Sequence, residues 1–286
     1  MIRYAFLAVI LMLAKASFAQ ESLQPYRLID NQEGSLAVSV ASIRATLADH
    51  GFTVVGEYGP YENAHVIAIT HPALLEAAGA EEFGGFGAVL RVGVTAVDGM
   101  VQRSVANPAY WGAALHIGDL AAVSAALDAA FGDTSTFGSR KGLTPEKLAK
   151  YRYMMMMPRL RDHDELGSFA SHEEAVTTIR ANLAASDDLR AVFEVAVPGR
   201  DEVLFGVGIG SGAGADATVM AATDQGELRH TAHLPYALLV SGDTAYALRG
   251  KFRIAVAFPD LGMGTFMKIS GAPNAIRDSL ATLAQP

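Results

Sequence analysis

Ile43-Arg44-Ala45-Thr46-Leu47-Ala48 returns in the second half of the chain as Ile179-Arg180-Ala181-Asn182-Leu183-Ala184. Around the first copy Val40, Ile43 and Leu47 recur at spacings of three and four, and around the second Val176, Ile179 and Leu183 do the same, so each set shares one helical face. Two strand-like runs follow each helix. They are Phe52 to Gly56 and His65 to Thr70 about Gly59-Pro60, then Ala191 to Val197 and Val203 to Ile209 about Pro198-Gly199. Asp98-Gly99 and Gly242-Asp243 are hairpin signals at matching later positions. Each half closes on an apolar helical pattern, Asp119 to Phe131 and Pro273 to Leu283. These matches predict an α+β fold of two related domains in a pseudo-twofold arrangement, each an antiparallel sheet with helices packed on it. The expected divisions are a signal peptide over 1–19, a first domain over 20–132, a helical connector over 133–166 and a second domain over 167–286.

Several local expectations fill in this outline. Glu21 to Gly34 reads as a polar entry segment holding one edge strand, and Ser39 as the cap of the first helix. Gly79 to Gly87 reads as a flexible rim or binding loop. Thr144-Pro145 opens a connector helix that should stop near Met157, before Pro158. Ser171 and Glu174 have the spacing of a capping box, in which each side chain satisfies a backbone N–H at the helix start. Ala217 to Thr223 and Phe252 to Phe258 read as further strands.

Composition narrows the classes of function. Arg3, the apolar run Ala5 to Leu13 and Ser17-Phe18-Ala19 form the pattern of a secretory signal cleaved before Gln20, which predicts a periplasmic or secreted protein. The apolar run is too short for a stable membrane span. The chain contains no cysteine, which excludes disulfides, thiol chemistry and thiolate metal ligands. The formal net charge of -8 argues against nucleic-acid binding, which calls for a basic face.

The helix Val40 to His50 with Gly51-Phe52-Thr53-Val54, then His71-Pro72-Ala73-Leu74-Leu75, the turn at Asp98-Gly99 and Asn107-Pro108 resemble members of the domain-of-unknown-function family 302. The second half, from Ser171-His172-Glu173-Glu174 onward, resembles a diverged copy. The resemblance implies compact α+β domains that tend to pair, and it brings no catalytic residue with it. The central insertion Leu143 to Leu166 departs from a minimal member of that family.

The candidate ligand-binding residues are Arg229, His230 and His233, the aromatic pair Tyr110 and Trp111, and Met154 and Met157 from the run Met154 to Met157. Imidazoles three apart share a metal only within a helical turn, and zinc would need further nitrogen or oxygen ligands. Four adjacent thioethers fan around a helix, so flexible packing is the simpler reading of the methionines, with Cu(I) or an apolar ligand as the alternatives. Trp111 reads first as packing over the sheet and second as a binding anchor. Gly206-Val207-Gly208-Ile209-Gly210-Ser211-Gly212 lacks the Lys-Ser/Thr ending of a phosphate loop, and no cofactor is expected. The leading functional expectation is an exported binding or interaction protein, for a small or apolar ligand or a periplasmic protein, with a cleft between the domains. The alternatives are a metal-dependent or other hydrolase with a site between the halves, and a purely structural pseudo-dimer. Pairing of whole chains into a homodimer is compatible with each.

Overall fold

The structure, a computed structural model, describes residues 22–152 and 155–285. The expected signal peptide over 1–19 lies outside the described residues, as does Met154. The first lobe runs β1 (Tyr26–Glu33), α1 (Leu36–Asp49), β2 (Thr53–Tyr58), β3 (Ala64–Thr70), α2 (Pro72–Ala80), a 3-10 turn at Gly84–Gly87, β4 (Leu90–Val97), β5 (Met100–Ala106), α3 (Pro108–Leu115) and α4 (Ala121–Phe131). Between the lobes lie β6 (Ser135–Phe137) and α5 (Pro145–Ala149). The second lobe runs β7 (His163–Ser168), α6 (His172–Ala185), β8 (Leu189–Ala196), β9 (Glu202–Ile209), α7 (Asp216–Thr223), a 3-10 turn at Thr231–His233, β10 (Tyr236–Ser241), β11 (Thr244–Leu248), α8 (Gly250–Ala257), α9 (Met263–Lys268) and α10 (Ala272–Leu283).

The two lobes share one topology. The first sheet has the order β2-β3-β4-β5-β1-β6 and the second β7-β11-β10-β9-β8, so reading the second backwards makes β8, β9, β10, β11 and β7 the counterparts of β2, β3, β4, β5 and β1. All the pairings in both sheets are antiparallel. The repeated sextets lie in α1 and α6, which connect equivalent strands. Even a defect repeats: β2 is bulged between Val54 and Gly56, and β8 between Ala191 and Phe193. The hairpin at Asp98-Gly99 turns with φ of 51° and 83°, as a two-residue turn with two left-handed positions requires.

Local chemistry accounts for most of the elements. Ile43 and Leu47 of α1, and Ile179 and Leu183 of α6, are buried as their spacing requires. Ser171 accepts a hydrogen bond from the Glu174 N–H at 3.1 Å. Glu174 reaches back one residue further than in the usual box, accepting from the Ala170 N–H at 3.0 Å. The cap of α1 is Ser35, whose hydroxyl accepts from the Val38 N–H at 3.3 Å, whereas Ser39 lies buried within the helix.

Other expectations are corrected. Ala217–Thr223 belongs to helix α7, where Val219, Met220 and Thr223 turn inward at helical spacing. The run Phe252 to Phe258 forms most of α8 and its cap, not a strand. Its alternation of large and small side chains does not separate core from solvent, because every residue from Phe252 to Ala257 is buried. Asn107-Pro108 starts α3 as well as ending β5, since proline is suited to a first helical turn. The connector helix covers only Pro145–Ala149 and does not approach Met157. β1 is no edge strand: it lies between β5 and the short β6. The Gly79 to Gly87 stretch is divided: Gly84–Gly87 is entirely buried and so no part of a rim, whereas Glu81 and Glu82 are exposed at the edge of a hollow. The ends of the stretch expected as connector supply β6 to the first sheet and the start of β7 to the second.

Candidate functional site

The lobes meet bulge to bulge at β2 and β8. Gly56 lies so close that a Cβ there would stand 1.8 Å from the Val192 carbonyl oxygen, so only glycine permits this approach. One continuous apolar core then spans both lobes. Each lobe also lays its 3-10 turn on the other's sheet. Glu202 at the start of β9 accepts from the N–H groups of Phe83 at 2.9 Å and Gly85 at 3.0 Å, holding the first lobe's turn. In return Thr231 of the second lobe's turn meets the hydroxyls of Thr95 at 2.5 Å and Tyr61 at 2.8 Å. Gly93 of β4 makes room, since a Cβ there would lie 2.7 Å from the Ala232 nitrogen.

This junction collects most of the residues singled out from the sequence, and it uses them as packing. Trp111 is the fourth residue of α3 and Arg253 the fourth of α8, and the Arg253 guanidinium lies 4.9 Å from the Trp111 ring centroid. Tyr110 is fully buried and its hydroxyl donates to the Val256 carbonyl at 2.7 Å. The His233 Nδ1 faces the Arg253 Nη1 at 2.8 Å. Because a guanidinium can only donate, this imidazole accepts at Nδ1 and carries its proton on Nε2, 3.3 Å from the Tyr236 hydroxyl. Burial, with the Arg253 and Arg91 charges adding to it, pushes the His233 pKa well below the usual imidazole range.

His230 and His233 therefore take separate places. His230 stacks between Tyr26, 4.9 Å away between ring centroids, and Phe258, 4.7 Å away. Burial pushes its pKa down to about 4, so it is neutral near pH 7. Its backbone N–H donates to both oxygens of Asp224, each at 3.0 Å, and burial pushes that carboxyl up to about 7. Arg229 belongs to the same loop: its N–H donates to Gln102 at 2.9 Å and its Nη1 to the Asp224 carbonyl at 2.5 Å. No group of three His, Asp or Glu side chains suited to a metal occurs among the described residues. Another buried carboxyl, Asp216, accepts from the Tyr58 hydroxyl at 2.7 Å across the lobes, and burial pushes its pKa up to about 7.

The sequence reading passed over two buried arginines, Arg91 of β4 and Arg253 of α8. A signal was present: each is a lone charge inside an apolar run, Val89-Leu90-Arg91-Val92 and Phe252-Arg253-Ile254-Ala255. Each guanidinium leans on an aromatic ring of the opposite lobe, Arg253 on Trp111 and Arg91 on Phe193 at 5.8 Å. The space beside them consists of two crevices of about 10 and 20 Å³, which share Arg91, Trp111, Leu115 and Arg253 as walls. The space beside the two arginines is thus too small for an organic ligand.

Open space lies elsewhere. A groove of about 410 Å³ runs between the connector and the starts of α8 and α10. Four cations line it, Arg152, Arg249, Lys251 and Arg277, against two carboxylates, Asp162 and Asp164. Arg249 pairs with Asp164 at 3.3 Å and Arg277 with its neighbour Asp278 at 2.6 Å. Burial raises the Asp164 pKa above the ordinary carboxyl value, against the lowering effect of Arg249 and Arg277. Met156 and Met157 form one wall, and Met156 is 91% exposed. An adjoining groove of about 630 Å³ over α5 shares Arg152 and adds Lys147 and Lys150. Of the candidates read from the sequence, Met157 alone reaches this region among the described residues. A smaller hollow of about 210 Å³ lies between Phe83 and His163. No family model, no curated protein and no solved structure matches this chain.

Proposed function

We propose that this chain is a binding protein in which the joined lobes act as a rigid support and a small polyanion is the ligand, taken up in the groove over α8 and α10. The observation that carries this reading is the placement of Arg152, Arg249, Lys251 and Arg277 around one 410 Å³ groove in a chain whose formal net charge is -8. The volume falls within the range of small-molecule sites. The helix starts at Gly250 and Ala272 add partial positive charge to the same place. The exported location and the descent of both lobes from a module resembling the domain-of-unknown-function family 302 belong to the same proposal. The shared strand order supports common descent.

The groove is favoured over an inter-lobe cleft because the crevices beside Arg91 and Arg253 hold about one water-sized species each, and the hollow of about 210 Å³ between Phe83 and His163 is smaller and sets two carboxylates, Glu81 and Glu82, against Arg161. A metal-dependent hydrolase is less well supported, since His230 and His233 are buried and held by separate partners. The test is calorimetric titration with citrate and with inorganic phosphate at fixed chloride. Saturable binding is expected. Lys251→Ala and Arg277→Ala should each weaken it roughly two- to five-fold, and Arg140→Ala, on the exposed Asp260 pair, should leave it unchanged. Absence of binding heat for both probes, or equal binding by all three variants, would refute the reading.

A further inference from the structure

Arg91 and Arg253 place two positive charges in the interior. Neither forms an ion pair with a carboxylate among the described residues, and each lowers its own proton affinity chiefly through burial. Arg91, pushed down to about 9 by burial and by the neighbouring Arg253 charge, is still protonated at neutral pH. The phenols nearest in electrostatic effect, Tyr26, Tyr58 and Tyr236, are driven above their ordinary range by burial and stay neutral. The rings of Phe193 and Trp111 attract the guanidinium faces but carry no net charge. Isolated buried charge is costly, so natural interiors pair it.

Two further observations specify the missing partner. The Arg91 Nε is buried and meets no hydrogen-bond acceptor, while its Nη1 reaches only the Val89 carbonyl at 3.2 Å. The crevices walled by both arginines measure about 10 and 20 Å³, enough for about one water-sized species each. Phosphate and carboxylates exceed that room, and water has the size but not the charge. We infer that a halide ion, chloride under ordinary conditions, binds between the lobes against the Arg91 and Arg253 guanidinium groups, enclosed by Trp111 and Leu115. One lobe supplies Arg91 and Trp111 and the other Arg253, so the ion fastens the lobes together. This site is independent of the polyanion groove.

Thermal unfolding of the whole chain in sodium chloride, sodium bromide and sodium gluconate at equal ionic strength tests the inference. Both halides should raise the midpoint saturably, by roughly 3–6 °C over gluconate, because the ion binds only the folded state. Arg91→Met should abolish the difference, whereas Lys251→Ala should retain it. Equal midpoints in the three salts, or an unchanged halide response in Arg91→Met, would overturn the inference. If that variant does not fold, bromide-soaked crystals of the unaltered protein decide the matter: an anomalous peak between the two guanidinium groups supports the site, and a map without one rejects it.

Discussion

Glu202→Gln tests how the lobes hold each other. The carboxylate is 2% exposed and gives one oxygen to the Phe83 N–H at 2.9 Å and the other to the Gly85 N–H at 3.0 Å. Its Oε1 also meets the Ser241 hydroxyl at 3.3 Å and the Arg200 Nε at 3.4 Å. Glutamine has nearly the same shape but only one acceptor oxygen, so its amide nitrogen must face one of the two N–H donors. One charge-assisted bond is lost and one buried N–H is left unpaired, at a cost of about 2–4 kcal/mol. The same bonds hold Phe83 at a left-handed φ of 60°, a conformation that is itself unfavourable for a residue with a Cβ. For a chain of this size the loss corresponds to a fall in Tm of roughly 5–12 °C. Differential scanning calorimetry should show one transition moving as a unit, because the core is continuous across the lobes. A shift under about 1 °C, or a split in which only one lobe melts earlier, would refute the reasoning.

Two further substitutions probe other parts of the junction. Gly56→Ala drives a Cβ to 1.8 Å from the Val192 carbonyl, a collision between two backbones, and should abolish cooperative unfolding; Gly99→Ala, with open space around it and a φ of 83°, should cost only about 1 kcal/mol. Urea titrations of the two variants check this ordering. Asp216 has a pKa raised by burial from 3.8 to about 7, so the folded state retains a proton that the unfolded chain releases, and its contribution to stability declines as pH rises from about 4 to 7. Asp216→Asn should flatten that decline, and identical pH profiles for variant and parent by chemical denaturation would count against the buried ionisation. Asp224, also raised to about 7, acts in the same direction, and His230, lowered to about 4, in the opposite one over much of the same range; both are unchanged in the two proteins.

Periodicity made the helices α1, α6 and α10 legible, and turn chemistry made both later hairpins legible, because these signals depend on neighbours a few residues away. The same local signals failed at α7 and α8. There the alternation of side chains recorded packing on several sides at once, and only the neighbouring elements distinguish helix from strand. Tyr110, Trp111 and His233 were recognisable as unusual, but their use as packing at the junction depends on partners 146, 142 and 20 residues away in the chain.

The sequence by itself determined that two similar α+β halves follow one another without cysteine and with an acidic balance, since repeats, composition and short-range patterns are properties of the chain. Only the tertiary structure decided that the halves close on each other and that the open, cationic space lies over α8 and α10. The physical reason is distance along the chain: Gly56 against Val192, Glu202 against Phe83, and Arg152 beside Arg277 become neighbours only when both sheets have formed and docked.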